Sequence, residues 1–471
     1  METEKLFFPK EDQIKALKKD ERFSEIERAA SVGDGINWIK ESERDFLKEV
    51  YEDYNGDVVK FVPASGAASR MFKHVHDLSN RENQLVTDFL EKIDQFPFIS
   101  ELRNKCREVY QLELEKLMSQ QRFQDLSDLI LEPNGLNYAN SPKGLVPFHK
   151  LDTSLNPFQI HVNEAIQYTC KNGKIQIHFT VSPVHKSKVV EMLTAYIATL
   201  NQEDITIDYS VQMSETDTVA LDSKGDMVKD EFGKILLRPG GHGALIYNLN
   251  EIHSDLIFIK NIDNVVKDSE QGMQSEWKKI LGGYLINISK KIFEFQRQLD
   301  EGSQVEEAMH FLSESFGYTN VNESNLRELL FRPIRICGMV KNEGQPGGGP
   351  FYIKDKNTGA SLQIVESVEL DNSNSEHINA LNNATHFNPV DIVCSVKNYK
   401  SEKYDLTRFI DPDSFFTSNK DYKGKEIKIL ELPGLWNGAM ANWNTIFIEV
   451  PASTFNPVKT VNDLLKDSHQ N

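Results

Sequence analysis

The chain has 471 residues, 39% of them hydrophobic and 26% charged, the proportions of an ordinary soluble globular protein. With 71 acids against 53 bases its net charge is −18, which argues against nucleic acid or an anionic membrane as a bulk partner. A phosphorylated small molecule stays open, because a few local cations are enough to hold one.

The four cysteines, Cys106, Cys170, Cys337 and Cys394, are scattered too widely for a zinc or redox spacing and fit reduced, buried thiols. The first residues are acidic, with no long apolar core behind them, and no apolar run approaches the ~18 residues of a membrane span. The expectation is a cytoplasmic protein. The length leaves room for roughly three units, or for one elaborated domain with extensions.

Residues 1–55 carry Leu17, Phe23, Ile26, Phe46, Leu47 and Val50 at helical spacing and predict two or three helices in an N-terminal extension. Val58 to Pro63 is an apolar run that reads as a buried strand. Ala64, Ser65, Gly66 and Ala67 follow, small enough for backbone amides to approach an anion. Arg70 then adds a fixed charge and a fork of donors suited to phosphate. Residues 75–138 are helical in composition and read as an insertion or cap. Pro142-Lys143 lies in a loop punctuated by Pro and Gly.

Beyond that loop, helices are predicted near 157–170, 186–200 and 243–251, alternating with strands at 174–181, 205–212 and 256–262. Such alternation implies an α/β fold with a mostly parallel, doubly wound sheet, whose ligands bind beyond the carboxyl ends of strands. A long helix is predicted over 270–298. After residue 330 the pattern turns β-rich, with strands near 334–340, 361–370, 390–397, 427–432 and 445–450. Loops are expected at 347–350 and 371–380.

Five stretches stand out in order: Val58 to Met71, Pro142-Lys143, Arg238-Pro-Gly-Gly-His-Gly243, Ile259-Lys-Asn-Ile-Asp-Asn264 and Phe455-Asn-Pro-Val-Lys-Thr-Val-Asn-Asp-Leu-Leu465. Together they resemble the UDP-glucose and UDP-N-acetylhexosamine pyrophosphorylases, a family of the nucleotide-diphospho-sugar transferase superfamily. The resemblance spans most of the chain. It departs in a first loop poorer in glycine and in a long helical stretch between Arg70 and Lys143, which makes the chain look like an outlying branch.

The resemblance implies a fold of GT-A-like type, with residues 56–265 as its nucleotide-binding half and 266–471 as its sugar-binding half and closing segment. It implies transfer of a uridylyl group from UTP to a sugar 1-phosphate, with Mg2+. Arg70, Lys143 and Lys459 would be the catalytic cations. Ala64, Ser65, Gly66, Ala67, Gln212, Gly240, Gly241 and His242 would hold the nucleotide. Asn264 and Asn388 would meet the sugar, and Asp263 and Asp391 the metal. The Asp263 assignment also has a local reason, since a carboxylate ending an apolar strand needs a partner. Two other expectations share the fold: glycosyl transfer from a nucleotide sugar, and a non-catalytic nucleotide- or sugar-binding protein. The stretches 347–349 and 434–441 have no implied role.

Overall fold

The computed structural model describes residues 6–19, 23–150, 154–202, 204–303, 306–344 and 347–470. Two compact units interleave along the chain. The first comprises Met1–Val58, Gln212–Ile259 and Lys279–Ala452, and the second Val59–Val211, Lys260–Lys278 and Ser453–Asn471. The division expected from the sequence takes consecutive pieces, whereas each of these units is assembled from three separate ones.

In the second unit, strands Val58–Pro63, Ile175–Thr180 and Ile205–Ser210 lie side by side and parallel. Val59 pairs with Gln176 and Ile175 with Ile205. Helix Pro157–Tyr168 starts sharply because Asn156 accepts from the Gln159 amide while the Gln159 side chain accepts from the Asn156 amide, with proline at the first helical position. Its Phe158, Val162 and Ala165 pack with Ile177 and Phe179 of the sheet. Helix Lys186–Ile197 adds Val189 and Leu193 to the same core.

Residues 75–138 are helical, as their composition predicts, with α-helices Gln84–Glu91, Ile99–Tyr110, Leu114–Ser119 and Phe123–Leu131. Aromatic rings fill their core. Phe89 and Phe96 stand 4.8 Å apart, and Phe72 stacks on Tyr138 at 5.3 Å. Ala68, Met71 and Phe72 belong to this cluster, and so do Val458, Val461 and Leu464. The helical stretch therefore anchors both the first loop and the C-terminal motif.

In the first unit, strands run in the order Ser31–Val32, Gly35–Asn37, Asn444–Glu449, Ile334–Lys341, His386–Ser395 and Leu256–Lys260. Ile334–Lys341 is parallel to Asn444–Glu449 and antiparallel to His386–Ser395. A three-stranded and a four-stranded sheet in this unit are antiparallel throughout. The architecture is mixed α/β. Among the described residues no helix is long and apolar enough to cross a membrane.

Several expectations fail locally. The described part of 1–55 holds helices Lys10–Lys18 and Glu41–Glu52, but also strands Ile26–Ala29, Ser31–Val32 and Gly35–Asn37. Ile26, expected on a helix, pairs with Ile353, so tertiary pairing overrides local spacing. Phe46 is 55% exposed rather than buried. Part of the expected extension, residues 1–5 and 20–22, lies outside the described residues. The expected loop at 347–350 runs into strand Gly349–Asp355. The expected loop at 371–380 contains helix Ser375–Asn382, because the Asn374 side chain caps the Glu376 amide at 2.9 Å. Of the cysteines, Cys170 is exposed and the other three are buried.

Candidate functional site

In the second unit, strand Val58–Pro63 ends where the Ala64 amide donates to the Thr180 carbonyl. The chain then turns, and the side chains of Ala68, Met71 and Phe72 sink into the aromatic cluster. That anchoring leaves Gly66, Ala67, Ser69 and Arg70 exposed. The amides of Ser65, Gly66 and Ala67 donate to no group among the described residues. A side chain added at Gly66 would meet nothing within 4 Å. Consecutive unpaired amides of this kind make a concavity for an anion. The Arg70 guanidinium has no partner among the described residues.

The Pro142-Lys143 loop is stitched to this one. The Ala68 amide donates to the Ser141 carbonyl at 3.0 Å, and the Lys143 amide to the Gly66 carbonyl at 2.9 Å. Gly144 then presses on Ile262 and Phe158, where a Cβ would come within 2.9 and 2.7 Å. That approach brings Lys143 Nζ to 2.7 Å from Asp263 Oδ2. Lys143 is 14% exposed and Asp263 13%. Burial pulls the Lys143 pKa down and Asp263 works against it, with Lys459 adding a further downward push.

Lys459 reaches the same carboxylate from the C-terminal motif, with Nζ 3.8 Å from Asp263 Oδ2 and its side chain 56% exposed. The Val458 amide donates to the Asp263 carbonyl, and the Val461 amide to the Met71 carbonyl. Asp463 fixes the turn, accepting from the Lys459 amide at 2.8 Å and the Thr460 amide at 2.6 Å. Asn264 joins from the same strand end, its Oδ1 accepting from the Asn456 amide at 3.0 Å. Asn264 Nδ2 is buried and unpartnered. Thus Ser65, Gly66, Ala67, Lys143, Asp263, Asn264 and Lys459, far apart in sequence, are linked in one unit, with Arg70 on the same loop.

Among the described residues no three His, Cys, Asp or Glu side chains group to hold a metal. Asp263 Oδ1 has no hydrogen-bond partner among those residues, so one carboxylate oxygen remains for a cation. That suits Mg2+, which commonly takes one or two carboxylates and completes its shell with substrate phosphates and water.

The other expected residues lie in the first unit. Gln212 Nε2 is 3.4 Å from Thr216 Oγ1, and a Cβ on Gly240 would meet the Thr216 carbonyl at 2.5 Å. Gln212 and the Pro-Gly-Gly-His loop therefore meet through Thr216. Gly241 takes φ +76°. His242 Nδ1 accepts from the Leu435 amide at 3.1 Å, and its ring stacks on Trp436 at 4.3 Å. Burial holds its pKa below the ordinary imidazole value.

Trp436 and its neighbours were not assigned from the sequence. Trp436 Nε1 donates to Glu366 at 3.0 Å, and Asn437 Nδ2 to Glu369 at 2.8 Å. Burial pushes the Glu369 carboxyl up to about 7. Arg335, fully buried, donates to the Trp436 carbonyl, to Thr445 Oγ1 and to Gln363 Oε1. The glycine-rich stretch 434–441 is the hub that holds the His242 loop. A cavity of about 480 Å³ on this unit is lined by Ser24, Gln363, Glu369, Asn437 and Asn442 among others.

Asn388 and Asp391 lie within strand His386–Ser395, buried to 5% and 2% exposure. Asp391 pairs with Gly338, and the register shifts between Gly338 and Val340. Asn388 Oδ1 accepts from the Val390 amide at 3.0 Å. Val390 has φ +60°, a costly conformation for a β-branched residue. The Asn388 amide donates to the Gly348 carbonyl at 2.7 Å, which joins the 347–349 glycines to this bulge.

No curated protein matches the chain. Among solved structures, a mutant UDP-glucose pyrophosphorylase from Leishmania major is similar at 11% identity, with TM-score 0.43 over 95% of this chain and 70% of its own. The model of the family described as a domain of unknown function, DUF4301, matches residues 7–470, and the chain belongs to that family.

Proposed function

We propose that the chain is a nucleotidyltransferase that makes a UDP-sugar and pyrophosphate from UTP and a sugar 1-phosphate. One observation carries this reading. Lys143 and Lys459, from loops more than three hundred residues apart, converge at 2.7 and 3.8 Å on one carboxylate, Asp263, in the unit that also holds three consecutive unpaired amides. A protein of net charge −18 needs such a local gathering of donors to hold a triphosphate.

A phosphate oxygen of the sugar phosphate attacks the α-phosphorus, the bond to the bridging oxygen of the β-phosphate breaks, and pyrophosphate leaves. No protein nucleophile is needed. The amides of Ser65, Gly66 and Ala67 and the charges of Arg70, Lys143 and Lys459 orient the phosphates and stabilise the charge on the leaving group. Mg2+ would supply further neutralisation between phosphate oxygens, with Asp263 as the residue that holds it. The preference for a uridine nucleotide is what the family resemblance implies.

The test is pyrophosphate release from a panel of nucleoside triphosphates and sugar 1-phosphates with Mg2+. Release with UTP and one sugar phosphate is the expected result. Transfer from a UDP-sugar to an acceptor without pyrophosphate release would favour glycosyl transfer instead, and binding without turnover would favour a binding protein.

A further inference from the structure

The cavity of about 480 Å³ on the first unit has no part in the reaction proposed above. Buried polar side chains build its floor. Gln363, 5% exposed, accepts from Arg335 through Oε1 and donates to the Ala441 carbonyl through Nε2, so its amide is fixed at both ends. Asn437, 2% exposed, donates to Glu369 Oε2 at 2.8 Å. Glu369 is itself 6% exposed, and the Glu366 amide donates to the same oxygen at 2.7 Å. Ser361 stands two positions before Gln363 on strand Gly359–Val365, so the two share the strand face that lines the cavity. Ser361 is 7% exposed, and its hydroxyl bonds to nothing among the described residues.

Two groups here lack the partner that burial calls for. Glu369 meets dipoles, from the Asn437 side chain, the Glu366 amide and the Ser24 hydroxyl, but no lysine, arginine or histidine pairs with it among the described residues. A buried carboxylate without a cation is costly, and burial, helped by the nearby Glu366 charge, raises its proton affinity. The Ser361 hydroxyl leaves both its donor and its acceptors unused. The rest of the lining sets the sign of what fits. Glu25, Asp355, Asp411 and Asp413 stand around the cavity against Lys354 and Lys356, an excess of acid that disfavours a phosphate or a carboxylate. No three acidic, histidine or cysteine side chains group to hold a metal ion among the described residues. The cation that suits this cavity therefore brings its own hydrogen-bond donors, as an ammonium does. Phe23, Phe415 and Phe416 add apolar surface for an alkyl chain.

We infer that this cavity binds a small aliphatic diamine, with one ammonium held by Glu369 and Ser361, the other among the surrounding acids, and the alkyl chain against the phenylalanines. The site is separate from the phosphate-binding loops and does not depend on their reading. An ammonium beside Glu369 competes with the proton that burial otherwise favours there, so binding and ionisation of this one carboxyl are linked. Above about pH 7 the carboxylate is available to the amine, and below it the proton holds the place.

The experiment titrates putrescine into the full chain by calorimetry, with butane-1,4-diol as an uncharged probe of the same length. Putrescine is expected to bind at pH 8 and the diol not to. Affinity for putrescine should fall about tenfold at pH 6, as a carboxyl titrating near 7 passes from about 90% to about 10% ionised. Glu369→Gln keeps the volume and an acceptor for Asn437 and the Glu366 amide. It should weaken putrescine at pH 8 by about tenfold or more, the worth of one charge-assisted hydrogen bond, and flatten the pH dependence. Its melting temperature at pH 8 should be unchanged or raised, because a buried charge is removed. Ser361→Ala is the second variant and should weaken putrescine about fivefold. Equal binding by Glu369→Gln overturns the inference, since it reports only the general attraction of a chain of net charge −18. Equal binding of the diol overturns it too, and so does failure of the unmodified chain to bind putrescine. If Glu369→Gln does not fold, Ser361→Ala decides: weaker binding sustains the site and unchanged binding overturns it.

Discussion

Lys143 Nζ sits 2.7 Å from Asp263 Oδ2, with both side chains almost buried, so the ammonium holds one oxygen of that carboxylate and leaves Oδ1 for a cation. Asp263→Asn keeps the shape and removes the charge that holds a hard cation. The expected outcome is loss of Mg2+-dependent turnover with the fold retained. The variant also leaves the Lys143 ammonium without its anion, which costs about 1–3 kcal/mol. Circular dichroism with turnover across a Mg2+ titration checks both parts, and full activity at ordinary Mg2+ would remove Asp263 from the site.

Lys459 reaches the same carboxylate from a turn held by Pro457 and Asp463, but its side chain is 56% exposed. Its loss should therefore spare stability. Lys459→Ala is expected to lower kcat by ~10²-fold, the range seen when one preorganised charge-stabilising donor is removed. The melting temperature should move by little, because an exposed ion pair at 3.8 Å contributes at most about 1 kcal/mol. Steady-state kinetics beside a melt decide it. A large drop in melting temperature with normal kcat would make Lys459 a structural residue.

Much of this was legible in the sequence, and the reasons differ from residue to residue. The strands before Ala64 and Asp263 are apolar runs bounded by small or polar residues, which is a local signal. Gly66, Lys143, Asp263 and Lys459 stand in short motifs whose order gives their association. Lys60, Glu164 and Lys260 were not legible, since isolated charges in a sequence look like solvated surface and only the fold shows them buried together. The Val390 bulge was missed because register is set by the partner strand, not by local composition. The Trp436 stack on His242 joins residues nearly two hundred positions apart with no spacing rule between them. Ile26 was misread because its helical spacing is outweighed by pairing with Ile353.

His149 Nε2 lies 3.2 Å from His469 Nδ1, and both side chains are 1% exposed. Burial pushes the His149 pKa down to about 3 and that of His469 to about 4, with Lys267 and Lys466 nearby opposing a further charge and Glu164 and Asp463 favouring it. In the unfolded chain both imidazoles take up protons near 6.5. Below that pH the unfolded state binds more protons, so stability falls as pH drops from about 6.5 toward about 4. The slope is about 1.4 kcal/mol per pH unit for each imidazole. Above 6.5 the contribution is fully present. The melting temperature should be level between about pH 7 and 8 and fall from about 6.5 downward, less steeply in His469→Gln. Identical slopes in the two proteins would mean that other groups govern the acid response.

Gly66 offers the sharpest separation of fold from function. Its backbone is not in the left-handed region, its carbonyl already accepts from the Lys143 amide, and a Cβ there would meet nothing within 4 Å. Gly66→Val should therefore fold normally, with a stability change within about 0.5 kcal/mol, as for surface substitutions away from special features. If the amides of Ser65, Gly66 and Ala67 cradle phosphate, the branched side chain stands in the space the anion needs. Binding of UTP should then weaken by roughly tenfold or more, the cost of about one displaced charge-assisted hydrogen bond. Binding of uridine, which lacks the phosphates, should change little. Calorimetry with both ligands beside a melt distinguishes the cases. Equal weakening of both would place the effect on the fold of the loop, and no weakening of either would leave the small-residue stretch an ordinary turn.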